Sequence, residues 1–172
     1  PTMSTAIATA LVAEFDHEIA TTRKLLARSP AAAASWKPHP KSMSLGQLAG
    51  HLAEIPGWGG PMLQLAELDL APVGGPAYTS PTFESVEALL ALFDKNAAEA
   101  RPVLAAMSDE EFQLPWTMLM GGEKVFTLPR IAVVRRRFGA GGQPTQPGGL
   151  ALGDPDPGRA GIGPDRRIDC GR

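Results

Sequence analysis

Cysteine is almost absent from this chain, and histidine and tyrosine are scarce. Cys170 is the only cysteine among 172 residues and lies beside the C-terminus, which excludes an internal disulfide and a cysteine-built zinc site. No run of about 18 apolar residues occurs, so an ordinary transmembrane helix is excluded and no membrane partner is expected. Neither sign of charge dominates; a formal charge of −2 offers no electrostatic basis for binding nucleic acid or an anionic membrane surface. The N-terminus lacks a basic stretch ahead of an apolar core, so no secretory signal is expected and a cytoplasmic location follows as the expectation. Neither a G-x-S-x-G elbow, a phosphate-binding P-loop nor an H-E-x-x-H zinc motif is present.

What remains is a chain of ordinary globular composition, 44% hydrophobic and 20% charged, long enough for one domain with a substantial core. Ile7, Leu11, Phe15, Ile19 and Leu26 recur at a mean helical period, which predicts an amphipathic helix over roughly residues 4–28, ended by Ser29-Pro30. Residues 30–43 hold three prolines and form a connection, with Trp36 expected to pack down on the bundle. Ser44 and Gln47 form a capping-box pattern that starts a second helix. Pro56, Gly57, Gly59, Gly60 and Pro61 should kink or stop that helix before it resumes toward Leu68.

Residues 69–81 are a loop by composition. A third helix should begin near Thr82 or Ser85, with Pro102 bending it or ending it early. Ser108 and Glu111 repeat the capping-box pattern and mark a short helix. Trp116–Met120 and Glu123–Thr127, split by Gly121-Gly122, fit a small hairpin. A fourth helix then starts around Leu128-Pro129 with Ile131, Val133 and Val134. From Gly139 to Arg172 the chain has 10 Gly, 5 Pro and no aromatic residue in 34 residues, a composition that cannot bury enough apolar surface to offset chain entropy. The expected organisation is a helical bundle over 4–138 and an irregular tail over 139–172.

The sharpest chemical lead is His51. Leu45, Leu48, His51, Leu52 and Ile55 share helical spacing, so the imidazole projects with an apolar stripe and needs a hydrogen-bond partner or a metal. Two readings follow. His51 is a metal ligand in a bundle core, where facing helices supply converging donors; or it is a core histidine bonded to a neighbour such as Glu54, one turn away. Under the second reading His51→Leu extends the apolar stripe and should be neutral or mildly stabilising. His17, between Asp16 and Glu18, fits a solvated face, and His39, in Lys37-Pro38-His39-Pro40, a stiff loop. Glu14, Glu18 and Glu54 are further candidates for a site, although helical acids usually face solvent. Trp36, Trp58 and Trp116 read as packing residues, Arg135-Arg136-Arg137 as a solvated or helix-terminal cluster.

Five segments together carry a resemblance: Glu14–Leu26, Trp36–Trp58 (WKPHPKSMSLGQLAGHLAEIPGW), Glu67–Leu70, Pro81–Asn96 and Phe126–Arg130. In this order, across about residues 5–136, they resemble the DinB-like family. The resemblance implies an all-α fold, a four-helix bundle that is often a homodimer. It also implies a divalent metal (zinc, nickel or similar) on three histidines, with metal-dependent chemistry on a small molecule, such as thiol transfer or hydrolysis.

His51, in Leu48-Ala49-Gly50-His51-Leu52, matches the family's first metal-binding histidine. The other two belong to a segment like H-x-x-H-H-x-G-Q in the last helix, where this chain reads Arg137-Phe138-Gly139-Ala140-Gly141-Gly142-Gln143-Pro144 and has no histidine. The expectation is therefore a fourth helix that is truncated, frame-shifted or degenerate, and a metal site holding one of its three histidines. The alternative function is a non-catalytic bundle that binds a small ligand or a partner protein.

Overall fold

The computed structural model describes residues 4–76 and 78–138 of the chain, with side chains through Arg136. The expected tail over 139–172 and the point at which the last helix ends lie outside the described residues, as does the frame-shift reading of that region.

The long first helix, α1 (Ala6–Leu26), buries Ala8, Leu11, Phe15 and Leu26 along one face, as its periodicity predicted. α2 (Leu45–Glu54) opens on the reciprocal Ser44–Gln47 capping box: the Gln47 N–H donates to Ser44 Oγ and the Ser44 N–H to Gln47 Oε1. Pro56 cannot donate into an α-helical ladder, and the chain tightens into a 3-10 turn over Ile55–Trp58 before resuming as α3 (Gly59–Gln64). After the short strand β1 (Glu67–Asp69) and a loop, α4 (Val86–Ala106) starts at the Ser85 cap. α5 (Asp109–Gln113) opens on the second capping box, Ser108–Glu111. Strands β2 (Pro115–Met120) and β3 (Glu123–Pro129) lead into α6 (Arg130–Phe138).

α4 is the centre of the molecule, packing against α1, α2 and α3, while α6 closes the group against α1, α3 and α5. Ala8, Leu11, Phe15, Ala97, Leu104 and Phe112 form one core between α1, α4 and α5; Leu26, Ala49, Ala53, Leu89 and Phe93 form a second between α1, α2 and α4. Two ion pairs, Arg23–Asp94 and Arg101–Asp16, each at 2.8 Å, clasp α1 to α4 along their exposed edges.

Three expectations need correction. The fold is mostly helical but not strictly all-α. The predicted hairpin forms, turning through Gly121 and Gly122 at φ of 61° and 80°, the left-handed region that a two-residue hairpin turn demands. To it is added β1, paired in parallel with β2 (Leu68 opposite Met118), giving a three-stranded sheet in the order β1-β2-β3. The sheet packs Trp116, Met118 and Leu70 against Met62 of α3 and Val133 of α6.

Trp36 does not pack down on the bundle. Its backbone is docked, bonded to Ala33 and Leu45, but the residue is 59% exposed. Nor does Pro102 end α4 early; the helix runs one turn further to Ala106. Pro102 and Ala98, whose carbonyl loses its partner, both lie on the exposed face, where solvent can reach the freed oxygen. Leu104, fully buried, holds the final turn in place.

Candidate functional site

The most buried face of α2 is made of its smallest residues. Gly46, Ala49, Gly50 and Ala53 line it, while Leu48 and Leu52 sit only half-buried at its margins. Small side chains let neighbouring backbone come close. A Cβ on Gly50 would stand 2.5 Å from the Pro81 carbonyl oxygen, so only glycine admits the 78–81 segment at that distance. The approach delivers the side chains of that segment onto Glu54 at the C-terminal end of the same helix.

Glu54 is the focus of the site. Its Oε1 takes three donors: His51 Nδ1 at 2.7 Å, the Tyr78 hydroxyl, and Ser80 Oγ at 3.3 Å. Tyr78 and Ser80 hydroxyls are also within 3.1 Å of each other. Glu54 and His51 are both more than nine-tenths buried. A buried carboxylate is tolerable only when hydrogen-bonded, and this one is held from its own helix and from the loop. His51 Nε2 has no hydrogen-bond partner among the described residues. Donation from Nδ1–H to Glu54 leaves Nε2 as a bare acceptor, which costs less than burying an unpaired N–H on a charged ring.

Glu54 also lines a cavity of about 520 Å³. Trp58 and Tyr78 form one corner, their rings 5.0 Å apart and inclined at 66° in an edge-to-face arrangement. Leu68, Leu70 and Leu92 give the wall its apolar character, and Asn96 closes one side. The Asn96 amide donates to the Ala53 carbonyl at 3.1 Å, locking α4 to the end of α2, and it packs so near Gly57 that a Cβ there would meet it at 3.1 Å.

Asp69 forms part of the rim. Its carboxylate accepts the N–H groups of Ala71 at 2.9 Å, Gly121 at 3.0 Å and Gly122 at 2.7 Å, tying the rim loop to the hairpin turn. The Ala71 N–H, followed by those of Gly122 and Gly121, holds the Asp69 carboxyl below its usual value of 3.8, against an opposing effect of desolvation. The Tyr78 N–H donates to the Leu70 carbonyl at 2.9 Å and closes the loop between them.

The other candidates lie elsewhere. His17 is exposed on α1; His39 is exposed and its Nδ1 accepts the Lys41 N–H at 3.2 Å. Glu14 is exposed and meets Arg135 at 3.4 Å, and Glu18 is half-buried on α1. Trp116 is buried in the sheet core, whereas Trp58 turned out to line the cavity. Sequence reasoning paired His51 with Glu54 but missed Tyr78, Ser80, Asp69 and Asn96. The available signal was slight: Tyr78 is the only tyrosine of the chain, set in a loop with Pro72, Pro76 and Pro81.

The implied metal can be tested against these donors. His51 offers one ring nitrogen whose orientation is set by a carboxylate, the usual company of a metal-bound histidine. Among the described residues, however, no three His, Cys, Asp or Glu side chains are grouped so as to hold a metal ion. The donor set does not fit the three-ligand site of the resemblance, and no reaction step is assigned to it.

A bundle centred on one long helix, with a small sheet at its side and a cavity lined by a buried glutamate, is a scaffold suited to holding a small molecule. The sequence profile of the DinB superfamily matches residues 14–134, and the chain belongs to that superfamily. No curated protein and no solved structure matches it. Among the described residues, no helix is long and apolar enough to cross a membrane.

Proposed function

We propose that this DinB-superfamily protein binds a small, largely apolar molecule in the cavity between Trp58, Tyr78 and Leu92, with Glu54 as its polar anchor. One observation carries the reading: a cavity of about 520 Å³ with a largely apolar wall is lined by a buried glutamate that three side-chain donors hold in place. Apolar walls supply affinity in proportion to the area they cover, at about 25 cal/mol per Å², and a few fixed polar groups supply orientation. The pre-set geometry of Glu54 lowers the cost of ordering the site when a ligand arrives.

Screening small aromatic and aliphatic compounds by thermal shift, followed by NMR mapping, tests the reading. Binders should raise the melting temperature and perturb the Trp58 indole resonance. Binders that map only to other surfaces, with no change at Trp58, would remove its basis.

A second reading, a divalent metal on His51 as the superfamily resemblance implies, is favoured by the buried, unpartnered Nε2 and the orienting Glu54. Metal analysis of purified protein beside a His51→Ala control tests it. Stoichiometric metal lost in the variant supports it; equal, substoichiometric metal in both counts against it.

A further inference from the structure

Among the described residues, every charged group on the cavity wall is negative. Glu54 and Asp69 both line it, and among the described residues no lysine, arginine or histidine does. The other polar groups are mostly spent as donors: the Asn96 amide donates to Ala53 and the Tyr78 hydroxyl to Glu54. Four prolines on the wall contribute no backbone N–H at all. An anionic ligand would meet two carboxylates and few free donors. A cation would meet two carboxylates and two aromatic rings set at an angle.

We propose that the cavity selects organic cations, specifically a protonated amine carried on an apolar body. This rests on the small-molecule reading above and names the ligand class for it. Glu54 is suited to such recognition because His51, Tyr78 and Ser80 hold the carboxylate in place, so it need not be ordered when the ligand binds. Asp69 is likewise pinned by three backbone N–H groups, which fix its position while leaving its charge. Trp58 and Tyr78 add the attraction of ring faces for a cation, which grows as water is excluded. The leucines and prolines accommodate the apolar body.

Three probes of nearly equal size that differ in charge test this on the full chain: 2-phenylethylammonium, 2-phenylethanol and 3-phenylpropionate, each titrated by calorimetry at neutral pH. The ammonium should bind about tenfold more tightly than the alcohol, and the carboxylate most weakly. In Glu54→Gln, the preference of ammonium over alcohol should shrink severalfold. Trp58→Leu is a second variant with the same expected direction, should Glu54→Gln melt without cooperativity. Equal binding of ammonium and alcohol, or tighter binding of the carboxylate, would overturn the charge selectivity while leaving the small-molecule site standing. Absence of binding by all three would overturn both.

Discussion

Replacing Gly50 by alanine should destabilise this protein, although the same change in most helices does the opposite. In a helix interior alanine is favoured over glycine by about 1 kcal/mol. At Gly50 the new Cβ would stand 2.5 Å from the Pro81 carbonyl oxygen, a backbone atom that cannot rotate aside. Either the 78–81 segment moves away from α2 or the helix shifts within its core, and overpacking of this kind costs about 1–3 kcal/mol. The overpacking outweighs the propensity gain, leaving a net loss of about 1 kcal/mol. A loss of that size lowers the melting temperature of a chain this long by about 2–4 °C.

Movement of Pro81 would also draw Ser80 and Tyr78 from Glu54, so ligand binding should weaken in parallel. Urea denaturation of Gly50→Ala beside Ala91→Gly, a change at an exposed position of α4, provides the comparison. The two replacements are chemically opposite, yet both should lower the midpoint without altering the slope. A Gly50→Ala protein as stable as the parent, or more so, would refute the close-approach argument.

Other outcomes follow from the hydrogen bonds of Glu54. His51→Leu should cost about 1.5–3 kcal/mol, because it removes a donor from a buried carboxylate; this reverses the neutral or mildly stabilising outcome expected from the sequence for a metal-free core histidine, and an unchanged melting temperature would refute it. The cost should be the same with or without prior chelator treatment, whereas a bound metal would make it chelator-dependent. Tyr78→Phe should cost about 1–2 kcal/mol in chemical denaturation for the same reason, with the fold retained in its circular dichroism spectrum.

Acid should also weaken the fold. The carboxyls of Asp16, Asp69 and Asp109 are held below 3.8 and that of Glu111 below 4.5: Asp16 chiefly by the Arg101 hydrogen bond, Asp69 by the Ala71 N–H, Asp109 by Ser4, and Glu111 by the Ser108 N–H. Depressed values mean that the stabilisation is fully present above those usual values and disappears as pH falls through the lower folded values. Thermal melts should therefore be flat at mildly acidic pH and fall steadily below about pH 4.5; a melting temperature that rises on acidification would contradict the assignment.

Local signals in the chain determined a good deal. The capping boxes at Ser44 and Ser108 formed as their spacing required, because each is closed within one turn of backbone. Gly121-Gly122 marked the hairpin because few other residues tolerate its positive φ. The period of α1, the burial of His51 and its pairing with Glu54 were legible for a similar reason: residues three or four apart on a helix share a face.

Tertiary structure alone decided the rest. β1 is three residues long and pairs with a strand some fifty residues away, so no local period announces it. The centre of the buried face on α2 falls on Gly46, Ala49, Gly50 and Ala53, since close approach of the 78–81 segment and α4 outweighs the size of the flanking leucines. Trp36 is exposed because docking of its backbone does not oblige its ring to follow. The cavity itself gathers Glu54 and Trp58 from α2 and the 3-10 turn that continues it, Asp69 and Tyr78 from β1 and the loop after it, and Asn96 from α4. Those positions come together only once three separate elements have packed, and a linear pattern holds no record of distances set by packing.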